Sequence, residues 1–390
     1  MRALIVGTGP TGAGICRYLL KASSAKGGLL DELVVCDKAR GPGGRFATHR
    51  FGDDGESRTN RRHRADTGAQ YISHGAGPSP PDLEVYEELE HAGVIRSMGP
   101  RTIRGDRGIR RNFVAPKGIS SVPAYLIESA VRKERERGDE GADVSVRYST
   151  RLIGLGRVPA KGDVTSFKWS ATFETYGEDG GVCTPSDLFD VVFLTIPTTQ
   201  LLQDVRFDAH LEKLLDPHRP RLESANYSRR FAVVAHYDDR PEVLRAADWT
   251  AAYVEGQKAL RYVSAETRKM CCDEDDTATG TEATTLLLHS SVPYAIEAFD
   301  TDRDEVRDQL LHDLDRFLGR AMPKPSYVKV HRWKYSQCKP PTSGVSSATI
   351  AIGDGVYIGG DGLVGSNFDN CLHSAKTAVR AFVEENAGLK

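Results

Sequence analysis

The chain has 390 residues, enough for two or three domains, and its 39% hydrophobic and 27% charged residues are typical of a soluble globular protein. A formal net charge of -2 gives no general attraction for nucleic acid or an anionic membrane, and no apolar run reaches the length of a membrane-spanning helix. The seven cysteines include no C-x-x-C pair, so we expect a reducing compartment and no metal site.

A glycine-rich turn between a strand and a helix opens the chain. Residues 3–6 (ALIV) form a short run typical of a buried parallel strand, and an apolar helical pattern begins at Ala13. Between them, Gly7 permits a tight turn, Gly9 lets a pyrophosphate approach the backbone, and Gly12 lets the helix pack close to the strand. The order of strand, glycine turn and helix predicts a dinucleotide site.

A second strand and a second glycine turn add to this site. Residues 32–36 predict a strand that ends at Asp37, where a carboxylate can accept a hydrogen bond from a ribose hydroxyl. Gly43, Gly44 and Arg45 then bring a bidentate phosphate donor to the same region. The first glycine pattern alone leaves NAD, FAD or neither as the ligand.

The position of the first strand bears on localisation. Because that strand begins within the first three residues, removal of a signal peptide would destroy the nucleotide site. We therefore expect a cytoplasmic protein, while export by a route without a signal peptide stays open.

Beyond this site the chain leaves and re-enters the nucleotide-binding domain. The Gly-Pro-rich run 75–81 predicts an exit linker, and the helical pattern from Leu83 begins a second domain. Residues 112–121 predict a strand that turns into a helix, which dissolves in the charged run 132–140. Residues 189–197 predict a buried strand with a proline stop that returns to the nucleotide-binding domain.

Most of the second half predicts helices and alternating strands. They include an amphipathic helix at 302–318, whereas the polar, acidic stretch 266–282 predicts a surface loop or a locally disordered segment. Residues 356–362 predict a strand that ends in glycines and an acid, and a last helix begins near Phe368, with Asp369 as a candidate cap.

Three motifs in order resemble the flavin-dependent amine-oxidase superfamily: the Gly43–Arg45 turn, the loop 66–71 and the terminal G-G-D-G at 359–362. Within it, the chain resembles the renalase family. The matching segments are DKA at 37–39, NFVAPKGISS at 112–121, YSRRFA at 227–232, HSSVPY at 289–294, WKYSQ at 333–337 and GGDGLVGSNFDNC at 359–371. Polar insertions at 52–64, 132–141 and 266–283 depart from the family pattern.

The resemblance implies an α/β fold with two domains. Residues 1–75, 113–200 and 350–390 would form a discontinuous FAD-binding domain, Rossmann-like, doubly wound and three-layered. Residues 76–112 and 201–349 would form an α+β substrate domain whose antiparallel sheet covers the isoalloxazine ring.

The resemblance also implies an activity. Renalases use non-covalent FAD to oxidise isomers of NAD(P)H, namely the 2- or 6-dihydro forms or the α-anomer. Hydride passes to flavin N5, β-NAD(P)+ is returned, and O2 is reduced to H2O2. The implied partners are therefore a small-molecule nicotinamide dinucleotide and O2.

Cofactor contacts are expected from each segment of the FAD domain. The predicted cofactor-binding residues are Gly7, Gly9, Thr11, Gly12, Asp37, Lys38, Gly44, Arg45, Gln70, Tyr71, Thr150, Asp361, Gly362, Asn367 and Phe368. Among them, Arg45 would reach a phosphate or the ribityl region, Asp361 would bind the ribityl chain, and the backbone of Thr150 would recognise adenine. The start of the last helix would face flavin N1 and C2=O, where negative charge develops on reduction.

The substrate pocket needs positioning and desolvation more than an acid or a base, because the chemistry is hydride transfer. The candidates for its catalytic wall are Tyr71, Trp333, His289 and Tyr227. A lone histidine in an apolar strand is more often a satisfied core residue, so only the resemblance singles out His289.

Three alternatives stay open at this point. One is a flavin amine oxidase or desaturase of the same superfamily. Another is a NAD-dependent dehydrogenase, against which the Gly43–Arg45 turn and the G-G-D-G block argue. The third is a non-catalytic flavin-bound interaction protein, for which the basic cluster 58–64 is the one candidate surface.

Overall fold

The structure is a computed structural model. It describes ten continuous stretches of the chain. They are residues 1–51, 63–75, 77–98, 102–106, 111–160, 163–177, 180–245, 247–270, 283–339 and 347–387, with the backbone alone described at 163–165, 177 and 180–185. Most of the basic cluster (58–62) and most of two insertions (52–62 and 271–282) lie outside the described residues.

Strands and helices alternate along these stretches. The strands are β1 (Arg2–Val6), β2 (Glu32–Cys36), β3 (Thr48–Phe51), β4 (His63–Asp66), β5 (Ile72–Ser73), β6 (Arg96–Ser97), β7 (Ile103–Arg104), β8 (Asn112–Val114), β9 (Asp143–Arg147), β10 (Thr150–Ala160), β11 (Asp163–Gly177), β12 (Gly180–Phe189), β13 (Val191–Leu194), β14 (Arg206–Phe207), β15 (Arg230–Tyr237), β16 (Ala251–Tyr253), β17 (Leu260–Ala265), β18 (Thr284–Ser290), β19 (Tyr327–Trp333), β20 (Thr349–Gly353) and β21 (Val356–Gly359). The α-helices are α1 (Pro10–Ala25), α2 (Leu83–His91), α3 (Ser121–Glu136), α4 (Thr198–Asp204), α5 (Ala209–Leu215), α6 (Arg219–Glu223), α7 (Glu242–Arg245), α8 (Glu266–Met270), α9 (Val292–Glu297), α10 (Arg303–Leu318), α11 (Asp361–Val364) and α12 (Phe368–Glu385). None of the helices within the described ranges is long and apolar enough to cross a membrane.

A six-stranded sheet in the order β20-β21-β13-β1-β2-β9 forms the centre of the first domain. Its five strands from β21 to β9 are parallel, and β20 runs antiparallel at the edge. Helices α1, α3 and α12 cover one face, and the four-stranded sheet β12-β11-β10-β14 covers the other. Burial from both sides explains why β1 and β2 are continuous apolar runs instead of alternating ones.

A second six-stranded sheet, in the order β19-β15-β18-β17-β16-β7, forms the second domain. Alternate residues of β15 face opposite sides: Phe231 and Val233 pack under α9 and α10, whereas Ala232 and Val234 face the first domain. Both faces are therefore buried, one by helices of its own domain and the other by the first domain.

Packing differs from the predicted domain division at two places. Helix α2 buries Val85 and Leu89 in the core of the first domain, and among the described residues of the predicted segment 76–112 only β7 joins the second sheet. Helices α4, α5 and α6 pack against β10 and β11 of the first domain, for example through Leu211. Short amphipathic helices show an apolar stripe, but the stripe does not reveal which sheet covers it.

Two charged stretches are also more ordered than predicted. Helix α3 continues through the charged run as far as Glu136, because Glu134 is buried and accepts hydrogen bonds from Ser24 Oγ (2.8 Å) and the amide of Ala142 (3.0 Å). The predicted surface loop from 266 begins with helix α8, in which Glu266 and Lys269 are buried.

Aromatic and histidine rings form the contact between the β3–β4 hairpin and the second sheet. Phe51 stacks on Tyr327 at 4.5 Å between ring centroids, and the His63 and His236 rings lie 4.2 Å apart. Burial, with a smaller effect of His63 and against an opposing one of Asp238, lowers the pKa of His236 to about 4. His236 is therefore neutral in the folded protein near neutral pH.

We expect His236 to make the protein acid-sensitive. Its pKa is lower when folded than the ordinary 6.5, so the unfolded chain binds the extra proton and stability falls as the pH drops from about 6.5 toward 4. Replacing His236 with phenylalanine should remove about 2 kcal/mol of the loss in unfolding free energy between pH 7 and pH 5. Urea unfolding at the two pH values measures this. His312→Gln, on the exposed face of α10, is the matched control, and an unchanged pH dependence in His236→Phe would contradict the assignment.

Candidate active site

A cavity of about 1490 Å³ lies between the two domains. The carboxyl ends of β1 and β2, the start of α1 and the start of α12 line one side, and strands β15 to β19 line the other. The predicted cofactor-binding residues that line it are Gly7, Gly9, Thr11, Asp37, Lys38, Gly44, Arg45, Gln70, Tyr71, Thr150, Asp361, Asn367 and Phe368. Gly12 and Gly362 are not among the described lining residues and lie behind them.

The start of α1 forms an anion cradle. Gly7 has a φ of 108°, which favours glycine, and a Cβ at Gly12 would lie 1.9 Å from the Gly7 carbonyl oxygen. A Cβ at Gly9 would meet only the Gly43 carbonyl oxygen, at 3.7 Å, among the described atoms within 4 Å. No described side chain caps α1, so its first amides and its positive dipole end face the cavity.

Asp37 is fixed at the edge of this cradle. One carboxylate oxygen accepts hydrogen bonds from the amide and hydroxyl of Thr8 (2.7 Å each), and the other accepts from the amide of Ala39 (2.9 Å). The amide of Gly43 donates to the Thr8 carbonyl at 3.0 Å, which holds the second glycine turn against the first. The amide of Thr150 donates to the Asp37 carbonyl at 2.8 Å, so both residues lie at one end of the cavity.

Arg45 and Asp361 form a bidentate ion pair across the cavity wall, with N···O distances of 2.5 and 2.6 Å. Although burial opposes it, the Arg45 guanidinium lowers the pKa of Asp361, and the Ser366 hydroxyl donates to the same carboxylate. The Tyr227 hydroxyl lies 3.4 Å from Asp361, under Gly362. Tyr227 therefore supports Asp361 from behind and is not among the described lining residues, which differs from its predicted place in the wall.

The start of α12 is held by a side chain other than the predicted one. Asn367 is the N-cap, and its side-chain oxygen accepts from the amide of Asn370 at 2.7 Å. Asp369, predicted as the cap, is buried and accepts from the Tyr86 hydroxyl (2.7 Å) and the amide of Gly75 (2.9 Å). Asp369 thus ties α12 to α2, a contact that local sequence does not show.

Gln70 and His289 meet at the other end of the cavity. The side-chain nitrogen of Gln70 lies 3.1 Å from each ring nitrogen of His289 and donates to the Gly68 carbonyl. Burial, followed by the charges of Arg230 and Lys269, lowers the pKa of His289 to about 3. His289 is therefore a neutral wall residue that does not act as a general acid near neutral pH.

Tyr71 and Trp333 complete that end. The Tyr71 hydroxyl lies 2.5 Å from the hydroxyl of Tyr253, and the indole N–H of Trp333 donates to the Thr67 carbonyl at 2.7 Å. The structure thus brings together three of the four predicted wall residues, Tyr71, Trp333 and His289.

Family and fold comparisons agree with this geometry. The model of flavin containing amine oxidoreductases matches residues 93–382, and a model of NAD(P)-binding Rossmann-like domains matches residues 5–89. The chain belongs to the flavin containing amine oxidoreductase family. Renalase of Mus musculus is 26% identical over 386 residues, covering 97% of this chain and 98% of that protein.

Solved structures show the same fold. A structure assigned to a protoporphyrinogen oxidase of Exiguobacterium sp. 255-15 has a TM-score of 0.59 and 17% identity, covering 98% of this chain and 99% of that one. Putrescine oxidase with bound putrescine has a TM-score of 0.58 and 13% identity, covering 99% of each chain. The predicted fold class, a Rossmann-like α/β domain with a second domain on an antiparallel sheet, is confirmed.

Membership in this family implies a flavin cofactor, and the cavity fits one. The open space at Gly9 and the uncapped amides of α1 suit a pyrophosphate, and Asp37 is fixed where a ribose hydroxyl would lie. The loop carrying Gln70 and Tyr71 lies at the same end as His289, where a flavin ring would meet substrate. NAD would make the same pyrophosphate and ribose contacts, so it is the family match, and not this fit, that favours a flavin over the NAD-dependent dehydrogenase alternative.

Cations that the sequence motifs did not indicate line the second-domain side of the cavity. They include Arg230 on β15, Arg261 on β17 and Lys334 after β19. In the described part of the chain none of the three forms an ion pair; Arg230 donates to the Ser290 carbonyl at 2.8 Å. Burial and the nearby charge of Arg261, against an opposing effect of Tyr253, lower the pKa of Arg230.

This cluster gives the cavity an electrostatic preference. The described carboxylates of the lining are Asp37, Glu128, Asp204 and the paired Asp361, and all four belong to the first domain. The second-domain side therefore carries positive charge that has no ion-pair partner among the described residues and that favours an anion. The one sequence signal for these cations was the alternation of side chains along β15 and β17. This alternation does not reveal which face of the sheet meets the cavity.

Proposed function

We propose that the protein is a FAD-dependent oxidase of the renalase type. It would oxidise 2- or 6-dihydro or α-anomeric isomers of NAD(P)H, with O2 and one proton as co-reactants and β-NAD(P)+ and H2O2 as products. The observation that carries the proposal is the cation cluster Arg230, Arg261 and Lys334, because a nicotinamide dinucleotide is an anion. Similarity to mouse renalase along nearly the whole chain supports the same substrate class.

The cavity residues would divide the work of binding and positioning. Arg230 and Arg261 would hold the substrate pyrophosphate through charge-assisted hydrogen bonds. Tyr71 and Trp333 would flank the nicotinamide, since their polar atoms are already bonded to Tyr253 and Thr67. Bound FAD would supply the hydride acceptor and, with O2, the route for two electrons.

FAD would be held without a covalent bond by the residues of the first domain. The α1 amides would bind the pyrophosphate, Asp37 the ribose, and Asp361 with Arg45 the ribityl region. Acid precipitation of the protein is therefore expected to release free FAD.

An amine oxidase or desaturase is the nearest alternative, and electrostatics argue against it. A protonated amine would approach Arg230 and Arg261 with like charge, and no described carboxylate of the second domain lines the cavity to attract it. A non-catalytic flavin-bound protein would need neither an aromatic wall nor buried cations.

Anaerobic stopped-flow mixing tests the proposal. The purified yellow protein is mixed with 6-dihydroNAD, and in parallel with β-NADH and with amines that include putrescine. Rapid bleaching of the flavin band by 6-dihydroNAD, then H2O2 on admission of O2, is the expected result. Reduction by amines alone would overturn the substrate assignment, and a flavin that stays oxidised with every compound would favour the non-catalytic alternative.

A further inference from the structure

Three charged side chains are buried together where the two domains meet. The Lys269 ammonium lies 3.0 Å from Asp66 and 2.8 Å from Glu266, and none of the three side chains has exposed surface. Asp66 ends β4 of the first domain, whereas Glu266 and Lys269 belong to α8 beside the second sheet. None of the three is among the described residues that line the cavity.

This triad holds both ends of the loop that carries Gln70. Lys269 donates to the Gln70 carbonyl at 3.2 Å, and Glu266 accepts from the amide of Asp66 at 2.7 Å. Asp66 in turn accepts from the amide of Ile119 and the hydroxyl of Thr48, at 2.8 Å each. Backbone and side-chain contacts thus fix the loop at its first residue and again next to Tyr71.

Stability alone does not account for such a triad. Charges lose hydration on burial, and apolar residues of similar size commonly stabilise an interior as well or better. Although burial opposes it, the carboxylates of Asp66 and Glu266 raise the pKa of Lys269, so the ammonium stays charged between them and donates to the Gln70 carbonyl. Compared with an apolar cluster, the ion triad adds directional hydrogen bonds, and these fix the positions of the backbone groups that they join.

We propose that Lys269 is a positioning residue for the active site. Acting with Glu266 through the Gln70 carbonyl, it holds the segment 66–71 so that the Gln70 and Tyr71 side chains meet the flavin ring and the substrate. The role depends on flavin binding by the family and not on which substrate is oxidised. Because Lys269 and Glu266 lie beside the second sheet, the loop in the first domain would be ordered only when the second domain is in place.

Hydrogen exchange compares the loop in two variants. Lys269→Met keeps the side-chain length but leaves two carboxylates facing each other, so exchange of the amides of 66–71 should accelerate about tenfold beyond any global destabilisation. Leu314→Ala opens a cavity in the α10 core on the other face of the second sheet. This matched control should leave exchange in 66–71 unchanged. The bound flavin's visible band should shift in Lys269→Met and not in Leu314→Ala, and the flavin reduction rate should fall about tenfold.

A milder variant keeps the test decisive if Lys269→Met does not fold. Glu266→Gln preserves size and leaves Lys269 paired with Asp66, so the fold should survive while exchange in 66–71 rises about threefold. If the folded triad variants exchange the amides of 66–71 at the same rate as Leu314→Ala does, the proposal is overturned. The triad would then be a stabilising contact only. Failure of 6-dihydroNAD to reduce the native flavin, with the exchange effect intact, would overturn the proposed substrate and support the positioning role.

Discussion

Substituting Gly9 with alanine is expected to weaken flavin binding by about 100-fold while the apoprotein stays folded. The added Cβ meets only the Gly43 carbonyl oxygen at 3.7 Å among described atoms within 4 Å, so the protein itself tolerates it. The same methyl group occupies the space through which a pyrophosphate reaches the α1 amides, and charge-assisted hydrogen bonds would be lost.

Gly12→Ala is the contrasting variant one helical turn away. Its Cβ would lie 1.9 Å from the Gly7 carbonyl oxygen and 2.9 Å from the Gly7 carbonyl carbon, so α1 would have to move away from β1. We expect a lowered Tm of the apoprotein here, because overpacking destabilises the fold itself by about 1–3 kcal/mol or more. Flavin titration of the apoproteins and their thermal unfolding separate the two effects. A Gly9→Ala protein that binds flavin as tightly as the native one would refute the cradle.

Removing the charges of Arg230 and Arg261 is expected to raise KM for the dihydronicotinamide dinucleotide by about 100-fold. Each charge-assisted hydrogen bond to a phosphate contributes about 1.5–3 kcal/mol, and the Arg230→Gln/Arg261→Gln double variant removes both donors' charge. We expect kcat to change little, because these groups would bind the unreactive part of the substrate equally in the ground and transition states.

Arg380→Gln, on the exposed face of α12, controls for a general loss of positive charge. The flavin content of the double variant should equal that of the native protein, because both arginines belong to the second domain. An unchanged KM would show that these cations do not meet the substrate. If the native protein turns over amines as fast as the double variant does, the two arginines do not repel amines. The electrostatic argument against an amine substrate would then fail.

The local sequence was sufficient to predict the strands and helices that form the nucleotide cradle. The strand, the glycine turn and the start of α1 are contiguous, and glycine's conformational freedom and helix dipoles act over a few residues. The last helix, predicted to begin near Phe368, agrees with the structure for the same reason. Resemblance then supplied the two-domain arrangement and the wall residues Tyr71, Trp333 and His289.

Tertiary structure alone decided which distant residues meet. The Arg45–Asp361 pair joins positions 316 residues apart, and Asp369 serves α2 instead of capping its own helix. The acidic stretch from 266 has the composition of a loop, yet its first turn buries a lysine against Asp66. Sequence by itself determined the local conformations and the cofactor cradle. Strand register and domain packing determined the cation cluster and the triad. The physical reason is that burying a charge is unfavourable unless the fold places a partner beside it.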